Sequence, residues 1–441
     1  MTVRLRNVLP RPPKTAALAV AATAVCTSLT VGCGVLPGAT GGSGGPVVVM
    51  TWAPEKTREI NAPGVPAMAK AYARWVNANG GLHGRELKVL TCNDHNDKVG
   101  AAECARRAVD EDVVAVVGAF SQHARAFVSP LEAAGIPYIG GYGLTDSEFT
   151  SPVSYPVNGG QAALMAGNGR QLADDCERVA LVRPDTIAGD KLPALLNTGL
   201  AEGERAEAAD ILAAEDATNF TPQAKEAIAK AGAPASLAAE VGTAQATERA
   251  REGCVTVALG DRTDTFVDSF RRAQEDFQQV RISSVLGSVD QSLVDRTGGK
   301  KSPYEGAFLT GWYPAADDER WAPMRKVIKE HAFGDNRIEP SNAGVQTTWI
   351  AYTVFQQVVE SLGDGSEVSA RTVSRTLNDG LRVETGDLTP PLSWRFEDTI
   401  AGRSYPRLVN AHVTFQMVRD GRLVAARKEA VDVSTTLEQT T

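Results

Sequence analysis

Histidine is scarce in this chain: His83, His95, His123, His331 and His412 are all there are among 441 residues. None has H-E-x-x-H spacing, which removes the helix-borne zinc-hydrolase pattern. No G-x-x-x-x-G-K-[ST] segment occurs, so nucleotide hydrolysis would fall to another chain. Long Lys/Arg stripes are missing and the net charge is −8, so the phosphate-neutralising surface of a nucleic-acid binder is absent. Only one long apolar run exists, at the N-terminus, which excludes a polytopic membrane protein. Cys92-Asn93-Asp94-His95-Asn96-Asp97 offers oxygen, nitrogen and sulfur ligands but breaks the EF-hand pattern, because Lys98 stands where an oxygen is needed. It reads as a polar loop, and no metal or cofactor is expected. What is present is 43% apolar residue with charges of both signs, the composition of folded rather than disordered chain. At ~150 residues per domain the length predicts two or three domains.

Residues 1–14 carry Arg4, Arg6, Arg11 and Lys14 and no acid, and Thr15 to Val31 is apolar or small throughout. A charged start before a run too short to span is a secretory signal. Leu29-Thr30-Val31-Gly32-Cys33 resembles the lipobox of bacterial lipoproteins, with Thr30 in place of the usual aliphatic residue. The resemblance implies cleavage before Cys33, a diacylglycerol on its thiol, and a chain anchored to the extracytoplasmic face of a bacterial membrane. Loss of residues 1–32 removes four cations and leaves 41 Lys+Arg against 53 Asp+Glu, a net charge of −12. Residues 33–46 are rich in Gly and Ser and read as a flexible tether. They contain Gly41-Gly42-Ser43-Gly44-Gly45, formally a nucleophile elbow. That motif needs a strand before it and a helix after it, and a glycine run supplies neither.

Beyond the tether, strands and helices alternate. Strands are predicted at Val47–Met50, Leu87–Leu90, Val113–Val117 and Ile136–Ile139, and helices at 65–78, Ala101–Val109 and Ser121–Ala134. Gly80-Gly81 and Gly135 act as stops. The pattern restarts with strands at Val179–Val182, Ala208–Leu212, Val255–Leu259, Ile282–Leu286 and Ala307–Leu309. The Ala/Glu-rich stretch 222–252 adds a helix or two. Two longer helices follow Trp312, and a hairpin pairs Val413–Val418 with Leu423–Ala425 around Asp420-Gly421. Continuous apolar strands between amphipathic helices mean parallel sheets covered on both faces. The expected fold is therefore α/β: two Rossmann-like, doubly wound lobes with a ligand cleft between them. The expected division is 47–152 and 312–385 for the first lobe, 153–311 and 386–430 for the second, and 431–441 as a tail.

The segment Ala71-Tyr72-Ala73-Arg74-Trp75-Val76-Asn77-Ala78-Asn79-Gly80-Gly81-Leu82-His83-Gly84-Arg85 resembles the E-x-I-N-A-x-G-G-I-x-G-R stretch of periplasmic binding proteins of the leucine/isoleucine/valine type. Asn93-Asp94 is similar to that family's D-D, Val113 to Gly118 to its V-x-A-V-I-G, and Gly135-Ile136-Pro137-Tyr138-Ile139 to its G-V-P-x-I-S. The resemblance implies lobes joined by three crossovers that close on a small solute. It also implies the permease and ATPase of an ABC importer as partners. The expected protein is not an enzyme but a monomeric solute carrier. The same fold docking a membrane receptor as a ligand sensor is the alternative.

In that family one lobe holds the ligand's carboxylate through a hydroxyl and backbone N–H groups. Anchoring on Glu148-Phe149-Thr150, similar to the family's E-L-T, makes Thr145 the hydroxyl donor and Gly143 a backbone contact, with Ser121 or Gln122 the other contact. Ser121 and Thr145 are equally suited to capping helices. The second lobe departs from the pattern: Ile187-Ala188-Gly189 stands where an aromatic is usual, and Asp261-Arg262-Thr263 where aromatics are common. Asp290 or Asp261 is the candidate acid for an ammonium group. Arg262 faces either a second ligand carboxylate or solvent, and Trp52 walls either the cleft or the core. The expected ligand is an amino acid or a related carboxylate or amide.

Four cysteines remain once Cys26 leaves with the signal and Cys33 is acylated, and four allow three pairings. Cys92 ends a strand and Cys104 lies on the next helix. Cys176 and Cys254 stand at the entrances of strands that are neighbours in a 2-1-3 order, roughly 5 Å apart. The predicted bridges in an oxidising compartment are Cys92–Cys104 and Cys176–Cys254.

Overall fold

A computed structural model of the chain describes residues 44–439 apart from 59, 233–251, 275–279, 286–287 and 403. The expected signal, Cys33 and nearly all of the tether lie outside the described residues.

The first lobe is built on β1 (Val47–Trp52), α1 (Gly64–Ala78), β2 (Leu87–Cys92), α2 (Lys98–Asp110), β3 (Ala115–Val117), α3 (Ala124–Ala134), β4 (Tyr138–Ile139), α4 (Ser147–Thr150) and β5 (Ser154–Tyr155). Its five strands are all parallel in the order β2-β1-β3-β4-β5. The second lobe begins with α5 (Gly160–Asp175), β6 (Cys176–Pro184), α6 (Leu192–Glu202), β7 (Ala209–Ala213), α7 (Thr221–Ala231) and β8 (Glu252–Val257). It continues through α8 (Thr263–Ala273), β9 (Val280–Val285), α9 (Gln291–Arg296) and β10 (Phe308–Gly311). The chain then returns to the first lobe with α10 (Ala322–His331), α11 (Ala343–Ser361) and α12 (Ala370–Asn378). It ends in the second lobe with β11 (His412–Arg419), β12 (Arg422–Ala425), β13 (Val431–Asp432) and α13 (Ser434–Gln439). The second sheet runs β12-β11-β10-β9-β8-β6-β7, with β13 on β11, and is antiparallel only at β10-β11-β12 and β13. Ligands of open α/β sheets sit outside the carboxyl ends of the strands, so this topology fixes where a site can form.

The alternation read from the apolar runs places the named strands with ends shifted by a few residues. Helix α3 starts at Ala124, because Ser121-Gln122-His123 is spent on a turn in which the Ser121 hydroxyl accepts the His123 N–H (3.2 Å). Helix α11 is pinned to the strand ends of the first sheet. The hydroxyls of Tyr352 and Thr51 share a hydrogen bond of 2.7 Å, Thr51 donates to the Val117 carbonyl (2.6 Å), and Thr348 donates to that of Gly118 (3.1 Å).

Both predicted disulfides are formed, Cys92–Cys104 with Cα atoms 5.7 Å apart and Cys176–Cys254 with Cα atoms 5.8 Å apart. The expected lobe boundaries need correction. β5 pairs with β4, so the first sheet runs to Tyr155. Residues 386–411 stay with the first lobe. Trp394 donates its indole N–H to the Pro156 carbonyl (3.0 Å), the Arg407 N–H reaches the Phe149 carbonyl (3.0 Å), and Trp394 packs edge-on against Tyr155. The expected tail is not a tail: β13 pairs with β11, and Thr436 and Leu437 on α13 are buried.

Candidate functional site

A cavity of about 490 Å³ lies between the lobes. From the first lobe it is lined by Phe120 and Gln122 after β3, Tyr142-Gly143-Leu144 after β4, and Ser341 to Gly344 at the start of α11. From the second lobe come Ala258 after β8, Val285 at the end of β9, Ser288 beyond it, Asp290 at the N-cap of α9 and Arg296 at its last residue. Gln161, in the first turn of α5, and Trp312, just past β10, line it where the chain passes between the lobes.

One wall is aromatic. The rings of Phe120 and Tyr142 lie 4.6 Å apart, and Tyr142 meets Trp312 edge-on at 5.1 Å. Trp312 is held by its indole N–H, which donates to the Gly160 carbonyl (2.9 Å). Flat apolar faces with a few fixed polar groups are the usual furniture of a small-molecule pocket. The backbone comes close here because Gly143 has φ 87°, and a Cβ there would stand 2.7 Å from Asn158 Oδ1. Only glycine fits that turn without strain.

The polar groups come from both sides. Asn342 N-caps α11, its Oδ1 accepting the N–H groups of Gly344 (2.9 Å) and Val345 (3.2 Å). Asp290 N-caps α9 by accepting the Leu293 N–H (2.8 Å). Burial and the nearby Asp290 raise the Glu339 carboxyl above its ordinary value, with Arg296 opposing the rise.

Of the residues singled out in the sequence, Gln122, Gly143 and Asp290 are brought together in this cavity. The others are not. Ser121 is buried with its hydroxyl beside the Asp94 carboxyl, which burial raises and which Ser121 and His123 counteract. Thr145 spends both its N–H (2.9 Å) and its hydroxyl (3.2 Å) on Glu148. Glu148 also accepts the Gly143 N–H (3.1 Å), so the donors expected for a ligand carboxylate are already satisfied by an internal one. Burial raises the Glu148 carboxyl in spite of these donors. Arg262 donates to the carbonyls of Ala214 and Glu215 (both 2.8 Å) and does not face the cavity. Trp52 is wholly buried against Phe127 and Tyr138. Asp261 lies in a short turn, Gly260–Arg262, and its side chain is outside the described residues. Sequence reasoning missed Tyr142, Gln161, Ser288, Asn342 and Trp312. Ser288 and Trp312 stand at or just past strand ends, the one signal that could have found them.

A family profile described as periplasmic binding protein matches residues 58–405. The chain belongs to the periplasmic binding protein family. No curated protein matches it. Solved structures share its fold at low identity. A leucine binding protein from Thermotoga maritima is 14% identical, with TM-score 0.64 over 88% of this chain and 99% of that one. A solute binding protein of an ABC transporter from Rhodopseudomonas palustris, in complex with 3,4-dihydroxy benzoic acid, is 15% identical, with TM-score 0.66 over 88% and 97%. A fatty acid ABC transporter substrate-binding protein from Thermomonospora curvata is 13% identical, with TM-score 0.66 over 90% and 95%. This is a family of extracytoplasmic solute-binding proteins, and no helix among the described residues is long and apolar enough to cross a membrane.

Proposed function

We propose that this periplasmic binding protein is a lipoprotein, anchored through Cys33, that captures a small polar solute between its lobes and hands it to an ABC importer. The solute is an amino acid or a related carboxylate or amide. The observation that carries the reading is the cavity of about 490 Å³, lined by Gln122 and Asn342 from the first lobe and by Gln161, Ser288 and Asp290 from the second. An ammonium or amide N–H group would face Asp290 and Ser288. A carboxylate would face the side-chain amides of Gln122 and Gln161 and the start of α11, where the helix dipole favours negative charge. The solved relatives named for leucine, 3,4-dihydroxy benzoic acid and fatty acid support a carboxylate-bearing solute. Lipid attached at Cys33 would give the two-signal anchoring that stable membrane attachment needs, and Cys33→Ala should release the chain or strand its precursor.

The test is native mass spectrometry of the purified mature chain, followed by calorimetric titration of the molecule it retains. Asp290→Asn keeps the helix cap, because Asn caps as well as Asp, and removes only the charge. The expected loss of affinity is about 10- to 100-fold, the cost of ~1–3 kcal/mol for a buried ligand group left without its partner. A chain that retains no small molecule, or an unchanged affinity in Asp290→Asn, overturns the assignment.

A further inference from the structure

Among the described residues one ion pair joins the two lobes: Lys191, in the loop between β6 and α6, with Asp146, at the start of α4. Each charge is mounted firmly on its own lobe. The Arg183 side chain, only 8% exposed, forks onto Asp210 of β7 (2.8 and 2.9 Å) and also reaches Asp190 (2.9 Å). The Thr186 hydroxyl accepts the Gly189 N–H (3.1 Å), and the Thr186 carbonyl accepts the Asp190 N–H (3.1 Å). The loop is thus tied down at the residue before Lys191, and Asp190, taken up by Arg183, leaves the ammonium without an acid of its own lobe. On the other side, Asp146 follows the turn that Glu148 holds through the N–H groups of Gly143 and Thr145. Its carboxylate does not cap α4. It is the one acid among the described residues that line this edge of the cleft, where Lys98 and Arg125 of the same lobe form no ion pair. With both mounts rigid, the separation of the two charges is set by the angle between the lobes.

We propose that Lys191 and Asp146 are positioning residues for solute capture: their ion pair holds the lobes together, and its strength sets the fraction of chains already closed before a solute arrives. Neither side chain needs to touch the solute. A solute held only between closed lobes has an apparent affinity scaled by that fraction. The pair's role in capture rests on the solute-binding reading above; the closure equilibrium does not. Both side chains are about half exposed, and an exposed pair is weak and screened by salt. That strength suits a latch that must open again to release what it holds. Its expected contribution at low ionic strength is about two- to fivefold in the ratio of closed to open chains.

The test is small-angle X-ray scattering of the mature chain, dialysed free of any retained molecule, with the radius of gyration read in ~20 mM and ~500 mM salt, where the Debye length falls several-fold. In wild type, salt should weaken the pair and the radius should rise. Lys191→Glu sets two carboxylates against each other, so its radius should be larger at low salt and should fall as salt screens the repulsion. Lys191→Glu/Asp146→Lys restores the attraction with its direction reversed and should recover the wild-type radius and trend. A merely structural effect of either substitution would neither invert the salt dependence nor be rescued by the swap. Radii and trends that agree in wild type and Lys191→Glu overturn the latch. A double variant that stays as open as Lys191→Glu also overturns it, because Lys191 would then act on something other than Asp146. No solute is present, so either failure leaves the solute-binding reading to its own test by retention and titration.

Discussion

Glu148 accepts three hydrogen bonds from Gly143 and Thr145, and so fixes the turn that forms part of the cleft wall. Its carboxyl is buried and raised above the ordinary value near 4.3. A carboxyl with a raised folded-state pKa contributes its full stability below the unfolded value. It loses that contribution as pH climbs through the folded one. Wild type should therefore lose stability relative to Glu148→Gln as pH rises. The gap in Tm between the two, measured by thermal denaturation from about pH 4 to about pH 8, is expected to shrink steadily. A gap that widens with pH would contradict the arrangement. This role was hidden in the sequence. Glu148-Phe149-Thr150 served there only to align Thr145, and a hydroxyl's partner depends on side-chain closure that spacing does not encode. Ser121 failed the same way, since its partner Asp94 comes from the loop after a different strand. Asp290 could be singled out because it follows the apolar run read as a strand at Ile282–Leu286, and ligands of such folds sit outside strand ends, although Asp94, close to the end of β2, is buried instead.

At the scale of elements, apolar runs such as Val113–Val117 were readable because a buried parallel strand needs them. β5, two residues long, carries no such run. α5 escaped notice for another reason. It is buried nearly all round and holds Gly167, Asn168, Gly169 and Gln171 among its buried residues, so it shows no amphipathic stripe. Its polar members are satisfied inside the lobe: Asn168 donates to Ser283 Oγ (2.8 Å) and accepts from Thr256 (2.6 Å), and Gln171 accepts from Thr310 (2.7 Å). Its glycines permit contact with α6, since a Cβ on Gly169 would stand 2.1 Å from the Leu196 carbonyl oxygen. The disulfides tie elements over very different chain lengths, 12 residues for Cys92–Cys104 and 78 for Cys176–Cys254. In the chain-entropy picture the longer loop is worth about 4 kcal/mol and the shorter about 3. Cys176→Ala/Cys254→Ala should thus lose more stability in urea than Cys92→Ala/Cys104→Ala. The reverse order would show that strain or residual unfolded structure, not loop length, governs them.

For the whole molecule, two lobes and a cleft were legible because the strand–helix alternation restarts after the first four strands. The return point at 386 was not, since residues 386–411 carry no regular strand and their allegiance rests on Trp394 and Arg407 reaching the first lobe. Three passages of chain join the lobes, and the second begins at Trp312. That position has an optical consequence. Of the six tryptophans, Trp312 is the one that lines the cavity, and its indole is fixed to Gly160 at another passage between the lobes. Occupancy of the cleft, or any change in its opening, must alter the polarity and quenching around this ring. The protein therefore carries its own spectroscopic gauge of occupancy. Titrating the retained solute should shift or quench the intrinsic emission in proportion to saturation. In Trp312→Phe most of that signal should disappear while calorimetry still records binding. A response untouched by the substitution would place the reporting indole elsewhere in the chain.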